Sequence, residues 1–286
     1  MIFAFFVAAG GMTVLLIISR DRYKELIRPV DRRIYALKEL MPIGLYVMEL
    51  IRYKYSTRYD RGLLDKLTEL YGARYSQYYL RIHWANKISA LIAVTVITML
   101  FGAATGPDKG LAVFGAVMLG AVFYLTDREL YKRVKKRRID IQLDFPDFIN
   151  KLTLLINAGM TVSGAWRRIS EDSKRDGPLY QELKETLAEI AGGKPEIQAY
   201  ENFAKRCRIP QVTKFISIII QNLKKGNSEL IPILRLQAGE CWDMRKSTAR
   251  RLGEEASTKL LFPMMIMFLA ILIIVAMPAM LAMQGI

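Results

Sequence analysis

Four long uncharged apolar runs alternate with strongly charged segments along this chain of 286 residues. The runs cover residues 1–18, 88–105, 110–126 and 260–283. At ~1.5 Å per residue the last run reaches about 36 Å, which exceeds a hydrocarbon core of about 30 Å. The pattern predicts a multi-pass membrane protein with four transmembrane helices.

The second and third runs are separated only by residues 106–109, so they predict a membrane hairpin. The first run has an alternative reading as a cleaved signal peptide. A signal peptide has a basic n-region at its start, which this run lacks. The basic residues Arg20, Arg22 and Lys24 instead follow the run. This order favours a retained transmembrane helix.

The basic residues predict the orientation in the membrane. Residues 19–87 hold 15 of the 42 Lys and Arg, and residues 127–259 hold 26. Loops rich in Lys and Arg remain in the cytoplasm, so both termini are expected outside it, in a plasma (inner) membrane. Because topology and anionic lipid explain the charge, the net charge of +15 is not independent support for nucleic-acid binding.

Helix-breaking and helix-capping residues divide the segment 139–258 into six predicted helices, which suits a compact helical bundle. No stretch shows the sustained alternation of apolar and polar residues that is typical of a strand. Proline, glycine and threonine mark the predicted boundaries, because they favour helix starts, helix stops and N-caps. These boundary residues are Pro146, Asn157 to Gly159, Thr161, Gly177-Pro178, Gly192-Gly193, Pro210 and Gly226. The sixth helix, 229–258, is expected to continue into the last apolar run.

The first loop is less regular. Residues 42–51 are apolar but too short to span, which suits a buried or interfacial helix. Residues 61–82 predict a helical hairpin broken near Gly72. Ten of the 14 tyrosines lie between Tyr23 and Tyr79. They could stack single-stranded nucleic acid, but anchoring at the lipid headgroups is the favoured reading.

The fold class predicted from these patterns is all-α, a polytopic membrane protein with a cytoplasmic six-helix bundle. The predicted divisions are a first transmembrane helix, a cytoplasmic helical region, a transmembrane hairpin, a cytoplasmic bundle and a fourth transmembrane helix. Their ranges are 1–18, 19–87, 88–126, 127–259 and 260–286.

Motifs for catalysis and cofactor binding are missing from the sequence. No GxxxxGK[ST] phosphate loop occurs. The single histidine, His83, is expected to be interfacial rather than a phospho-acceptor or pH switch. Cys207 and Cys241 lack metal-site spacing and are expected to be small buried residues. We therefore predict no enzymatic activity, no cofactor and no metal.

Two charged groups have competing interpretations. Asp144 and Asp147 could chelate a cation, but stabilisation of a helix N-terminus is favoured; both are also candidate partner-contact residues. Arg250 and Arg251 lie four residues before Glu254 and Glu255. These could be solvated ion pairs or, with Arg245 and Lys246, a surface that docks a partner.

The apolar runs contain no Asp, Glu, Lys, Arg or His, which argues against a permease or pump. Small residues recur every fourth position at Ala112, Ala116 and Gly120, as on close-packing membrane helices. Pro263 and Pro278 should kink the last transmembrane helix.

The ordered set of residues from Pro146 to Pro278 resembles the F domain of type II secretion systems. The first part is Asp144-Phe145-Pro146-Asp147-Phe148, Leu152, Leu155, Ala158-Gly159, Val162 and Ala165. The second part is Arg208-Ile209-Pro210, Gly226, Leu230, Leu234, Arg245, Arg250, Glu254, Ala256, Lys259 and Pro263. Trp166 departs from the pattern, since a smaller aliphatic residue is usual there.

The resemblance implies a non-enzymatic platform protein of a secretion or type IV-like pilus machine. Its implied partners are a cytoplasmic hexameric assembly ATPase and pilin or pseudopilin subunits. One clear F domain, instead of two, makes the chain look like a tight-adherence (Tad) pilus platform subunit. Such a subunit pairs with a second F-domain protein or with itself. A membrane sensor or scaffold, or a membrane enzyme using Asp144 and Asp147, are the alternatives.

Overall fold

The structure is a computed structural model, and all the regular secondary structure in the part of the chain that it describes is helical. That part comprises residues 10, 19, 22–32, 35, 37–105, 109–173, 176–225 and 230–283. The predicted all-α class is confirmed there. The chain divides into two compact units, Met1–Arg137 and Arg138–Ile286.

Among the described residues, three helices are long and apolar enough to cross a membrane: Ala73–Ala104, Lys109–Asn157 and Ile231–Pro278. They contain the second, third and fourth apolar runs. The first run, apart from Gly10, lies outside the described residues, and so do residues 106–108 of the predicted hairpin turn. The predicted first transmembrane helix, 1–18, therefore stays a prediction.

The first unit contains the helices α1 (Met41–Leu50), α2 (Arg58–Tyr71), α3 (Ala73–Thr105) and the first part of α4 (Lys109–Asn157). Gly72, with φ +79°, separates α2 from α3, which confirms the helical hairpin predicted for 61–82. The Thr57 side chain caps α2 by accepting a hydrogen bond from the Asp60 N–H. The Asp60 carboxylate in turn accepts a hydrogen bond from the Thr57 N–H. This capping box fixes where α2 begins.

The short apolar helix α1 packs against α3. Of the two alternatives predicted for residues 42–51, a buried or an interfacial helix, this agrees with the buried one. The two backbones approach so closely that a Cβ at Gly44 would lie 2.1 Å from the Ala85 carbonyl oxygen. The Gly44 N–H donates to Ser89 Oγ (3.2 Å), and that hydroxyl donates to the Leu40 carbonyl (2.8 Å). Only glycine permits this contact.

The second unit packs the end of α4 with five further helices around one core. These are α5 (Val162–Asp172), α6 (Pro178–Ala191), α7 (Glu196–Cys207), α8 (Pro210–Lys225) and α9 (Leu230–Met283). Most boundaries follow the sequence prediction. Thr161 caps α5 by accepting from the Gly164 N–H, Gly177 precedes α6, and Gly192 ends it.

Trp166 lies fully buried in this core. Its ring contacts Phe148, Tyr200 and Phe203, with centroids 4.9–5.0 Å apart. Cys207 and Cys241 are buried as predicted. An indole therefore fills the volume for which a smaller side chain was expected, and aromatic rings surround it.

The prediction that a helix begins at Pro146 is wrong, because α4 continues through this residue. An interior proline costs about 3 kcal/mol through a lost hydrogen bond and a clash. The fully buried residues Ile141 and Phe145 before it, and Phe148 and Ile149 after it, form one continuous core-facing stripe. Burial of these side chains on both sides of the proline offsets its cost.

The predicted packing stripe of small residues is partly described. Ala116 and Gly120 are exposed in this chain, and the side chain of Ala112 lies outside the described part. Within the hairpin it is Gly115 that faces α3, where an added Cβ would lie 3.6 Å from Thr98. Packing of the stripe against another helix stays a prediction, and Pro263 and Pro278 lie inside α9.

Candidate partner-docking surface

Asp144 and Asp147 lie within α4, on the side that faces the first turn of α6. Asp147 pairs with Lys151 (3.1 Å) and accepts a hydrogen bond from the Tyr180 hydroxyl (3.4 Å). Asp144 Oδ2 lies 2.8 Å from the point where a Cβ on Gly177 would stand. The two aspartates do not lie at the start of their own helix, because α4 begins at Lys109; the helix N-terminus that they face is that of α6.

These two carboxylates are not joined by the further acidic, His or Cys side chains that a metal site needs. Within the described ranges, no three such side chains come together in a group that could hold a metal ion. The contacts of Asp147 instead tie α4 to α6.

The charged stretch of α9 forms both of the ion pairs expected from its spacing. Arg250 Nε lies 3.0 Å from Glu254 Oε1, and Arg251 Nε lies 3.9 Å from Glu255 Oε1. The Arg250 and Glu254 side chains are 83% and 65% exposed. Pairs in such exposed positions contribute only about 0.3–0.5 kcal/mol to stability. The charge is therefore available at the surface at little cost to folding.

An exposed tryptophan, which the sequence reasoning missed, lies a little more than two helical turns before these pairs. Trp242 is 52% exposed, and the Arg245 guanidinium lies over its ring, 5.1 Å from the centroid. Tryptophan and arginine are the residue types most enriched among those that dominate binding energy at protein interfaces. We define the docking face as Trp242, Arg245, Lys246, Arg250, Arg251, Glu254 and Glu255.

A cleft of about 440 Å³ adjoins this face inside the second unit. It lies between the end of α4 and the first turns of α9. Its walls include Leu154, Arg235 and Trp242. Leu154 is 69% exposed, although it belongs to a helix whose neighbouring leucines enter the core. An exposed leucine and an exposed tryptophan at one cleft give the docking face an apolar portion.

Arg206 joins α6 to α7 in the same unit. It contacts Glu189 (2.6 Å), Thr186 (3.0 Å) and Glu182. Burial alone would raise the pKa of Glu189. Hydrogen bonds from Asn202 and Lys194, together with the charge of Arg206, outweigh burial and hold that pKa below its usual range. The network stabilises the scaffold that carries the docking face.

A second buried charge network lies in the first unit, and it too was missed. Lys87 Nζ contacts both carboxylate oxygens of Asp127 (2.9 and 3.0 Å) and the Tyr59 oxygen (2.6 Å). His83 Nε2 lies 3.1 Å from Asp127 Oδ1, and His83 is buried. The sequence did hold a signal, because Lys87 and Asp127 are the first charged residues beyond two adjacent apolar runs.

The tyrosines of the first loop are engaged within the first unit. Tyr71 and Tyr79 stack with ring centroids 3.6 Å apart, and the Tyr78 hydroxyl donates to the Leu26 carbonyl. Tyr35 is buried and carries the Arg133 guanidinium over its ring, 5.2 Å from the centroid. These four rings pack within the unit, whereas Tyr75 is 53% exposed.

The second half of the chain matches a known family. Residues 148–278 match the family model described as type II secretion system (T2SS), protein F. No curated protein and no solved structure matches the chain. The matched range begins within α4, ends within α9 and nearly coincides with the segment from Pro146 to Pro278. It supports the type II secretion F-domain family for this part of the chain.

Proposed function

We propose that this chain is an inner-membrane platform protein of a type II secretion or type IV-like (Tad) pilus machine. In this role it has no enzymatic activity. It receives force from a cytoplasmic hexameric assembly ATPase and transmits it to pilin or pseudopilin subunits. A second F-domain protein, or a second copy of this chain, completes the platform, and both termini lie outside the cytoplasm.

One observation carries the proposal: the docking face and the last apolar run belong to a single helix. α9 extends from Leu230 to Met283, and at ~1.5 Å per residue this is about 80 Å of helix. A continuous helix transmits tilt or rotation from one end to the other, which a flexible loop does not. The predicted continuity of the sixth helix into the apolar run is confirmed.

The side chains of α9 change from buried to charged to exposed and apolar along the helix. This order suits a helix that transmits force from a cytoplasmic partner to the membrane. Its earlier turns bury Leu234 and Cys241 in the core of the second unit. The docking face follows, and then residues 260–275 expose apolar side chains on every side. A helix that is apolar all round belongs in lipid. One element thus contacts a folded core, a partner surface and a membrane.

A sensor or scaffold remains the second candidate, but no observation favours it over the platform. A membrane enzyme using Asp144 and Asp147 is weaker still. The Asp147 carboxylate is paired with Lys151 and Tyr180, which leaves it poorly placed for acid–base chemistry.

Charge reversal on the docking face tests the proposal. Arg250→Glu with Arg251→Glu should abolish pilus or secretion output and capture of the ATPase, while the protein stays inserted at normal abundance. The matched control is Arg167→Glu with Arg168→Glu on α5. It reverses two equally exposed charges, one of them in an i,i+4 pair with Asp172.

The control variant should keep normal output. If the α9 variant also keeps normal output, the docking face is not the coupling surface. If both variants lose output equally, net charge and not this face is responsible.

A further inference from the structure

A large basic cavity opens in the first unit, between the helical residues 22–27 and the start of α1. Its volume is about 1160 Å³, comparable to or larger than typical ligand pockets of about 300–1,000 Å³. Four basic side chains line it, and two acidic ones accompany them. These are Lys24, Arg28, Arg32, Lys38, Glu25 and Glu39.

The contacts of these side chains leave positive charge facing the cavity. Arg32 pairs with Glu39 at 2.8 Å, so that arginine is neutralised. Lys38 donates to the backbone carbonyls of Arg28 (3.2 Å) and Val30. These bonds hold the connecting turn in place, but they do not neutralise the ammonium charge.

Lys24 and Arg28 are the cations best placed to meet a ligand. They lie four residues apart, and both side chains are exposed and line the cavity. Among the contacts described for residues 22–105, no salt bridge engages either side chain. Guanidinium and ammonium groups placed together favour a phosphate, which arginine binds in bidentate geometry and lysine as a point charge.

The other wall of the cavity is apolar and lies next to membrane-type sequence. Leu40 and Pro42 line it, and Pro42 belongs to the first turn of the apolar helix α1. At the other end of that helix Leu50 and Ile51 are exposed. Lys24 follows the uncharged run 1–18 by only six residues. A soluble phosphate ester does not need an apolar wall beside a membrane segment, whereas a phospholipid does.

We infer that this cavity binds the headgroup phosphate of an anionic phospholipid. Lys24 and Arg28 contact the phosphate, and Leu40 and Pro42 contact the glycerol and the first acyl carbons. This goes beyond the platform function, because it assigns one lipid to one place in the first unit instead of a diffuse attraction of basic loops for the membrane. It also does not depend on any partner of the second unit.

The test is native mass spectrometry of the delipidated full-length chain in detergent, titrated with phosphatidylglycerol or with phosphatidylcholine of the same acyl chains. The variants are Lys24→Ala with Arg28→Ala and, as the control, Arg58→Ala with Arg61→Ala. The control removes the same charge from exposed positions of α2. Soluble glycerol phosphate is added as a competitor in a third titration.

The native chain should prefer phosphatidylglycerol, and the cavity variant should weaken that binding by about tenfold or more, since each surface cation contributes on the order of a factor of five. The control should bind like the native chain. Equal loss in both variants, or no preference between the lipids, would overturn the site. Competition by millimolar glycerol phosphate would overturn the lipid in favour of a free phosphate ester. Circular dichroism of the cavity variant checks that it remains folded.

Discussion

Lys87 is fully buried, with its ammonium nitrogen 2.9 and 3.0 Å from the two carboxylate oxygens of Asp127. Lys87 immediately precedes the second apolar run, and Asp127 immediately follows the third. The pair therefore joins α3 to α4 at the ends of the two apolar runs that predict a membrane hairpin. The Lys87 ammonium also lies 3.3 Å from the centroid of the Phe123 ring, a cation–π contact that adds to the pair.

Removing one partner of this pair should destabilise the protein strongly. Lys87→Met leaves the Asp127 carboxylate, which is only 16% exposed, without its counter-charge, and breaking a fully buried pair in this way costs about 3–5 kcal/mol, an upper bound for this pair. Lys87→Met with Asp127→Leu should recover much of that loss, because no uncompensated charge remains. Urea unfolding in detergent measures the free energy of unfolding of each variant. A single variant as stable as the native chain would contradict the prediction, and Lys54→Met at an exposed position is the control.

The close approach of α1 to α3 predicts a second effect. Gly44→Ala places a methyl group 2.1 Å from the Ala85 backbone oxygen, and backbone cannot move aside as a side chain can. Overpacking of this kind costs about 1–3 kcal/mol. Thermal unfolding should show a lower Tm for this variant.

Gly62→Ala is the matched control for that substitution. Its Cβ would meet no atom within 4 Å on α2, and alanine is about 1 kcal/mol more favourable than glycine inside a helix. This variant should be as stable as the native chain or more so. A lower Tm for Gly62→Ala than for Gly44→Ala would show that the approach of α1 to α3 is not what makes glycine necessary.

Local sequence chemistry predicted much of the second unit, because caps and breakers act within a few residues. The Thr161 side chain caps the start of α5, and Gly193, with φ +88°, follows the end of α6. Pro146 misled the prediction because long-range burial of Ile141 and Phe145 outweighs a local helix breaker. Propensity is a weak guide wherever tertiary packing opposes it.

The charge networks could not be predicted in the same way. Lys87 and Asp127 are 40 residues apart, and Arg206 and Glu182 are 24 apart. Pairing over such distances depends on how helices return in space, which a single sequence does not encode locally. The two ion pairs of α9 were predicted, since i,i+4 spacing is local, and their role in docking a partner stays a prediction. Trp242 was missed, because nothing in the sequence distinguishes an exposed tryptophan from a buried one.

The network around Glu189 predicts a dependence of stability on pH. The pKa of Glu189 in the folded chain lies below its ordinary value of 4.5, so the unfolded chain binds more protons in the interval between the two values. The stabilisation is therefore fully present above about pH 5 and is lost as pH falls through the folded pKa. Glu189→Gln should lower the free energy of unfolding at pH 7, and the difference from the native chain should shrink towards pH 3. A difference that stays constant from pH 7 to pH 3 would show that the carboxylate charge is not its source.

The docking face predicts that Trp242 affects binding far more than folding. Trp242→Ala removes an indole that is 52% exposed and one cation–π contact with Arg245, so the free energy of unfolding should fall by about 1 kcal/mol or less. If Trp242 anchors the assembly ATPase, its removal should cost about 2 kcal/mol of binding or more, which is roughly a thirtyfold rise in Kd. Pull-down of the ATPase with the detergent-solubilised chain measures this loss of binding.

Leu236→Ala, at another exposed apolar position of α9, is the control and should bind normally. Equal losses of binding in both variants would mean that exposed apolar area on α9, and not the indole beside Arg245, holds the partner.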